Sequence, residues 1–171
     1  GDTVTAGANG VVITVNDDTP IATTANLTGT VDEDGVTGGI AGGTGDVAGE
    51  ATVATGNVGT LFQSGADSPL TYSLSNVTAG LPTLTRGGVA ITYSVAGNVL
   101  TASAGAATVF TFSVNATTGA YTFTLVDQLD HAPGANENNL TLALGSIIQA
   151  TDFDGDTVTA GANGVVITVT D

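Results

Sequence analysis

An all-β sandwich with Greek-key character is the fold this chain predicts, and three observations point to it. Apolar and polar residues alternate at period two along most of the length. Threonine and valine are abundant, 25 glycines punctuate the runs, and aromatic residues make up only 5%. No segment carries a helical apolar stripe. A closed barrel is the weaker alternative. With 171 residues of which 42% are hydrophobic, the chain can bury one core and is not expected to be disordered.

Taken in order, strands are expected near 11–16, 22–30, 51–62, 70–76, 89–95, 98–103, 108–115, 119–126, 140–150 and 164–170. Asn115 to Gly119 reads as a hairpin turn between Phe110/Phe112 and Tyr121/Phe123, and Gly97-Asn98 reads as another. Residues 35–49 are glycine-rich and read as a loop, and 77–104 as an inserted β-hairpin region.

The charge balance restricts function. Sixteen acidic residues face one basic residue, Arg86, for a formal net charge of −15. Nucleic acid and anionic membrane are repelled by such a surface, and no apolar run is long enough to span a bilayer. Without lysine, internal ion pairs cannot neutralise the carboxylates, so a divalent cation from solution is the expected partner. The absence of cysteine excludes disulfides, thiolate catalysis and cysteine-ligated zinc.

Residues 1–15, GDTVTAGANGVVITV, recur letter for letter at 155–169, and Asp17 corresponds to Asp171. The period is far longer than a solenoid repeat, which implies whole domains joined end to end. In this register residues 1–16 are the last strand of a preceding repeat and 17–171 form one sandwich repeat. The expected partners are neighbouring identical repeats, and the isolated unit is expected to be monomeric.

The carboxylates cluster at strand ends. Asn16, Asp17 and Asp18 precede Thr19-Pro20; Asp32, Glu33 and Asp34 precede Gly35; Asp127 and Asp130 follow a strand; Asp152, Asp154 and Asp156 alternate through ATDFDGD. Calcium is held by about six to eight oxygens gathered from loops that bend around it. Each cluster also has a plainer reading as a solvated, Asx-rich turn. An EF-hand is rejected because the twelfth position from Asp152 is Asn163 and no helices flank it. Gly42 to Asp46 resembles a glycine–aspartate nonapeptide, once and out of register, and reads as a loop in which Asp46 and Glu50 are solvated. His131 reads as a loop-capping or calcium-adjacent histidine rather than a catalytic base, and Arg86 as a surface turn residue.

The order of these pieces carries a family resemblance. The stretch ATDFDGDTVTAGANGVVITV, continued as NDDTP in the first copy, resembles the end of a cadherin-like domain and its linker. NATTGAYTFTLVDQLD at 115–130 and ADSPLTYSL at 66–74 resemble two further cadherin segments. The chain is similar to the cadherin-like and VCBS-type repeats of giant RTX adhesins exported by type I secretion. That resemblance implies an Ig-like sandwich with Ca2+ sites at both ends. Asp67, Asp152 and Asp154 would join Asn16–Asp18 at one end; Asp32–Asp34, Asp127 and Asp130 would join Asp171 at the other. VDQLDH lacks the glutamate expected after Leu125. The implied function is a non-enzymatic, extracellular calcium-binding spacer on a bacterial surface, serving adhesion and biofilm formation. A calcium-dependent glycan-binding module is the alternative.

Overall fold

The structure is a computed structural model in which residues 1–38, 47, 49–134 and 138–171 are described. It is all-β and sandwich-like, with three single 3-10 turns and no helix long and apolar enough to cross a membrane among the described residues.

One layer is a curled six-stranded sheet. Its strands are β3 (Val53–Asn57), β6 (Thr85–Arg86), β7 (Val89–Ala96), β8 (Val99–Ala104), β9 (Ala107–Val114) and β10 (Ala120–Leu125), in the order β3-β10-β9-β8-β7-β6. The region 77–104 thus extends this sheet through the β7–β8 hairpin, whose turn uses Gly97 at φ 57°. The β9–β10 turn is built as the residues suggest. Asn115 Oδ1 accepts from the N–H groups of Thr117 and Thr118, and Gly119 takes φ 71°.

Facing it are two three-stranded sheets. One contains β11 (Asn139–Ala143), β14 (Val165–Thr170) and β2 (Leu27–Asp32); the other contains β13 (Thr157–Thr159), β12 (Ile148–Thr151) and β5 (Thr71–Leu74). The chain passes from β11 to β12 through the turn Gly145–Ile147, and from β13 to β14 through residues 160–164. A short pair, β1 (Ile21–Ala22) with β4 (Phe62–Gln63), completes the strands. The non-local antiparallel pairing of β3 with β10, beside the β8-β9-β10 meander, supplies the Greek-key character, and β2 joins β14 in parallel.

One continuous core fills the space between the layers. Phe110, Phe112 and Phe123 from the six-stranded sheet, and Leu142, Ile147, Ile148, Val165, Ile167 and Val169 from the facing strands, are all fully buried. The Phe110 and Phe123 rings lie 5.1 Å apart, within favourable aromatic contact. Tyr121 lies across Gly56, where a Cβ would come within 2.5 Å of its ring, so glycine on β3 makes room for this side chain.

The two copies of the repeated segment have opposite fates. Residues 155–169 supply β13 and β14. Residues 11–16, read from the sequence as a strand, pair with no strand among the described residues, and Val11, Ile13 and Val15 are 82%, 82% and 87% exposed. A strand needs a neighbour to accept its ladder bonds, and the place beside β11 and β2 is already taken by the second copy.

These pairings define two ends. β2 and β14 run parallel, so Asp32 and Thr170 finish side by side and Asp171 emerges there. At the opposite end, the turn from β12 to β13 carries residues 152–156, and β5 brings Asp67 beside it.

Candidate functional site: carboxylate clusters at the two ends

At the β12–β13 end, Asp152 is the organising residue. Its Oδ1 accepts from the N–H of Gly155 at 3.1 Å and of Asp156 at 2.8 Å, while its own N–H donates to the Asp156 carbonyl at 3.0 Å. This closes the DFDG turn, with Gly155 at φ 115° where a side chain would be strained. Asp152 is only 5% exposed, yet its Oδ2 is buried without a hydrogen-bond partner among the described residues. Buried carboxylate oxygens are ordinarily satisfied.

The Asp152 carboxylate has other carboxylates close by. Ligand atoms of Asp67, Asp152 and Asp154 fall within 4.8 Å of one another, as do those of Asp17, Asp154 and Asp156. Asp154 belongs to both sets. The adjoining carboxyls of Asp152 and then Asp17 push the Asp154 carboxyl up to about 6, because a shared proton relieves like charges held together. The geometry is of a kind that can hold a metal ion through oxygen alone.

Asp18 is used differently. Its Oδ2 accepts from the N–H of Ala66 at 2.8 Å and rests against Gly65, where a Cβ would lie 2.1 Å away. It anchors the entering chain to the loop before β5. Asn16 is exposed. Phe153, at the tip of the turn, is 78% exposed; nothing in its alternating surroundings distinguishes it from a core aromatic by sequence.

At the Asp32 end, Asp32, Asp34 and Glu50 form a third set within 4.8 Å. Asp32 Oδ1 accepts from the Asp34 N–H at 2.9 Å, and Oδ2 accepts a short bond from the Thr170 hydroxyl, tying β2 to the end of β14. Desolvation, then the Asp32 and Asp34 charges, raise the Glu50 carboxyl. Glu50, expected to be merely solvated, is therefore part of this cluster. Asp46 and the Gly42–Asp46 stretch lie outside the described residues.

Glu33 turns inward instead. Its Oε1 accepts from the Leu129 N–H at 2.6 Å and lies 3.3 Å from His131 Nε2. The Glu33 carboxylate raises the His131 ring above its usual value, with a smaller contribution from Asp171. His131 is thus a loop-fastening residue close to the acidic end.

Asp127 and Asp130 stand apart from the clusters. Arg86 pairs with Asp127 at 2.6 Å, so the one basic side chain does neutralise a carboxylate internally. Asp130 accepts from the N–H groups of Gly87 and Gly88 at 2.6 and 2.8 Å, and contacts with the Thr85 hydroxyl and these amides hold its carboxyl below the usual range. Both glycines have positive φ, which glycine adopts without strain, so Asp130 caps a turn that these two residues permit. Arg86 is more than a surface turn residue: it links the β6 turn to the end of β10.

No curated protein and no solved structure matches the chain. One family model does, over residues 12–163, running from inside the first copy of the repeated segment to inside the second. With most of its length covered, the chain belongs to the family described as Domain of unknown function (DUF5801).

Proposed function

We propose that this domain is a calcium-binding structural extender repeat of a large bacterial surface adhesin, of the cadherin-like or VCBS type exported by type I secretion. Ca2+ at the junctions would stiffen the array. Two observations carry the reading: the Asp152 carboxylate clusters with those of Asp67 and Asp154, and its Oδ2 is buried with no hydrogen-bond partner among the described residues. A hard divalent cation satisfies such an oxygen and offsets the mutual repulsion of its neighbours. The all-oxygen donor set and its loop origin suit calcium better than zinc or copper.

The placement of the clusters supports a role at domain ends. Asp17 and Asp171 are the same position of the repeat, yet Asp17 lies with Asp154 and Asp156 while Asp171 lies at the Asp32 end. In a tandem arrangement one residue would border both clusters, completing each with groups from the next unit.

The test is thermal unfolding of the chain in EDTA and in millimolar calcium, followed by calcium titration. At calcium a hundredfold above Kd, binding adds about 2.7 kcal/mol of stability. For a domain of this size each kcal/mol moves Tm by roughly 2–4 °C. An unchanged Tm sinks the calcium reading. Scattering from a two-unit chain then tests the spacer, which must be more extended with calcium than with EDTA.

Phe153, exposed at the edge of the same cluster, favours one second reading, a calcium-dependent glycan-binding module with that ring as a stacking platform. A glycan-array signal lost in Phe153→Ala would select it over the spacer.

A further inference from the structure

We infer that the open edge of β7 is a self-association site, at which two copies of this chain pair antiparallel over Thr92–Ala96 and join their six-stranded sheets. β8 bonds one side of β7 from Ile91 to Ala96. On the other side β6 pairs only with Val89 and Ala90, and the Ile91 N–H donates to the Leu84 carbonyl. That last bond shows that the backbone groups of Ile91 point away from β8. Two and four residues further on, the N–H and C=O groups of Tyr93 and Val95 point the same way. No strand among the described residues pairs with them on that side. Sheet edges are ordinarily blunted by charge, proline, a bulge or short length. β7 has none of these: its eight residues carry no charge and no proline, and they pair with β8 without a register shift.

The distribution of charge points to a second copy as the occupant. At a formal net charge of −15, two copies repel each other. The sixteen acidic residues are unevenly placed, however. None lies between Asp67 and Asp127 and none in β3, so no strand of the six-stranded sheet carries a carboxylate. Asp127 and Asp130 come to the β6 end of this edge, and both are engaged there, by Arg86 and by the amides of Gly87 and Gly88. Two copies meeting at β7 therefore set no strand carboxylates against each other.

The strand is also complementary to itself. A twofold axis through Ser94 places Ser94 opposite Ser94, Tyr93 opposite Val95 and Thr92 opposite Ala96. Tyr93 and Val95 then exchange ladder bonds and form a favourable aromatic–β-branched pair, which covers two side chains that are half-buried now. Ile91 is taken by Leu84 in both copies, which stops the ladder at either end and fixes its register. Five paired residues a side bury less than the roughly 1,200 Å² of a stable interface, so the chain is monomeric when dilute. In an array of the kind proposed above, and resting on that reading, the edge would recur along the chain and its weak contacts would add through multivalency.

The experiment is sedimentation of the full chain from micromolar to millimolar concentration, with amide hydrogen exchange read at Tyr93 and Val95. EDTA keeps divalent ions from bridging the carboxylate clusters, and circular dichroism checks the fold. The parent should dimerise at the upper end of the range, more strongly at an ionic strength near 1 M, where the screening length is about 3 Å. Both amides should gain protection as it does so. Ser94→Asp puts like charges on the axis at an exposed position and should weaken dimerisation by at least about tenfold. Thr122→Asp, exposed on β10 away from the edge, should weaken it far less. An equimolar mixture of Ser94→Asp and Ser94→Lys should associate more strongly than either variant alone. A parent that stays monomeric at millimolar concentration in high salt overturns the inference and leaves the edge to an extended segment of another protein. Equal losses in Ser94→Asp and Thr122→Asp, or a mixture no better than its components, overturn it as well.

Discussion

Asp152→Asn separates a metal ligand from a turn-forming residue by the sign of its effect. Oδ1 holds the DFDG turn through Gly155 and Asp156, and an asparagine keeps that acceptor. The change falls on Oδ2, which is buried with no partner among the described residues. An unsatisfied buried acceptor costs about 1–3 kcal/mol. In EDTA the substituted amide can donate to the carboxylates of Asp67 or Asp154 close by, and one negative charge leaves a crowded site. The variant should then be more stable than the parent by about 1–2 kcal/mol, which raises Tm by roughly 2–8 °C at this chain length. With calcium a hundredfold above Kd the parent gains about 2.7 kcal/mol, and the variant, having lost a charged ligand, gains little. The two melting curves should therefore change order between EDTA and calcium, as differential scanning calorimetry would show. If Asp152→Asn lowers Tm by the same amount in both conditions, Asp152 only shapes its turn, and the metal assignment fails with it.

Three further outcomes are expected. The Asp154 carboxyl sits at about 6 against an ordinary 3.8, so the folded, metal-free state binds a proton that the unfolded state does not. Its contribution to stability is present below about pH 4 and is lost as pH rises through 6. In EDTA, Tm should fall between pH 5 and pH 7, and Asp154→Asn should flatten that dependence; an unchanged slope in the variant contradicts the crowding of carboxyls. Ile167→Ala should cost about 2–5 kcal/mol by the loss of buried methylenes, while Ile13→Ala should change the denaturant midpoint by less than about 0.5 kcal/mol; equal costs would mean that the first copy is packed. Asp130→Ala uncaps Gly87 and Gly88 and should lower Tm equally with and without calcium, whereas a calcium-dependent loss would make Asp130 a ligand after all.

Much of this architecture was legible because strands leave a period-two record. The hairpins at Gly97-Asn98 and Asn115–Gly119 were readable from turn chemistry, and the grouping of Asp67 with Asp152 and Asp154 followed from the cadherin-like order of segments. Two-residue strands such as Thr85–Arg86 and Phe62–Gln63 are too short to show a period, and Thr157–Thr159 is barely longer. The fate of residues 11–16 was unreadable for a stricter reason. Identical letters fold as β14 in one place and stay exposed in another, so the difference lies in which neighbour is already occupied. The partners of Asp127 and Asp130 are contacts across loops, and only the fold brings Arg86, Gly87 and Gly88 to them. Glu50 joined a cluster for the same reason, through the bond between Asp32 N–H and the Ala51 carbonyl that draws its loop to β2.

The bond from the Thr170 hydroxyl to Asp32 has a mechanical consequence. Thr170 and Asn16 occupy the same position of the repeat, so the next residue is at once Asp171 at one end and Asp17 at the other. Where units follow one another at this spacing, the chain leaves one sandwich fastened and is fastened again within a residue or two. No segment remains to act as a hinge, unlike a glycine–serine tether whose ends wander as the square root of its length. The bending resistance of such a rod would reside in a joint of a few carboxylates. Ambient calcium would then set the rod's persistence length, and with it how far a tip carried at its end stands from its base.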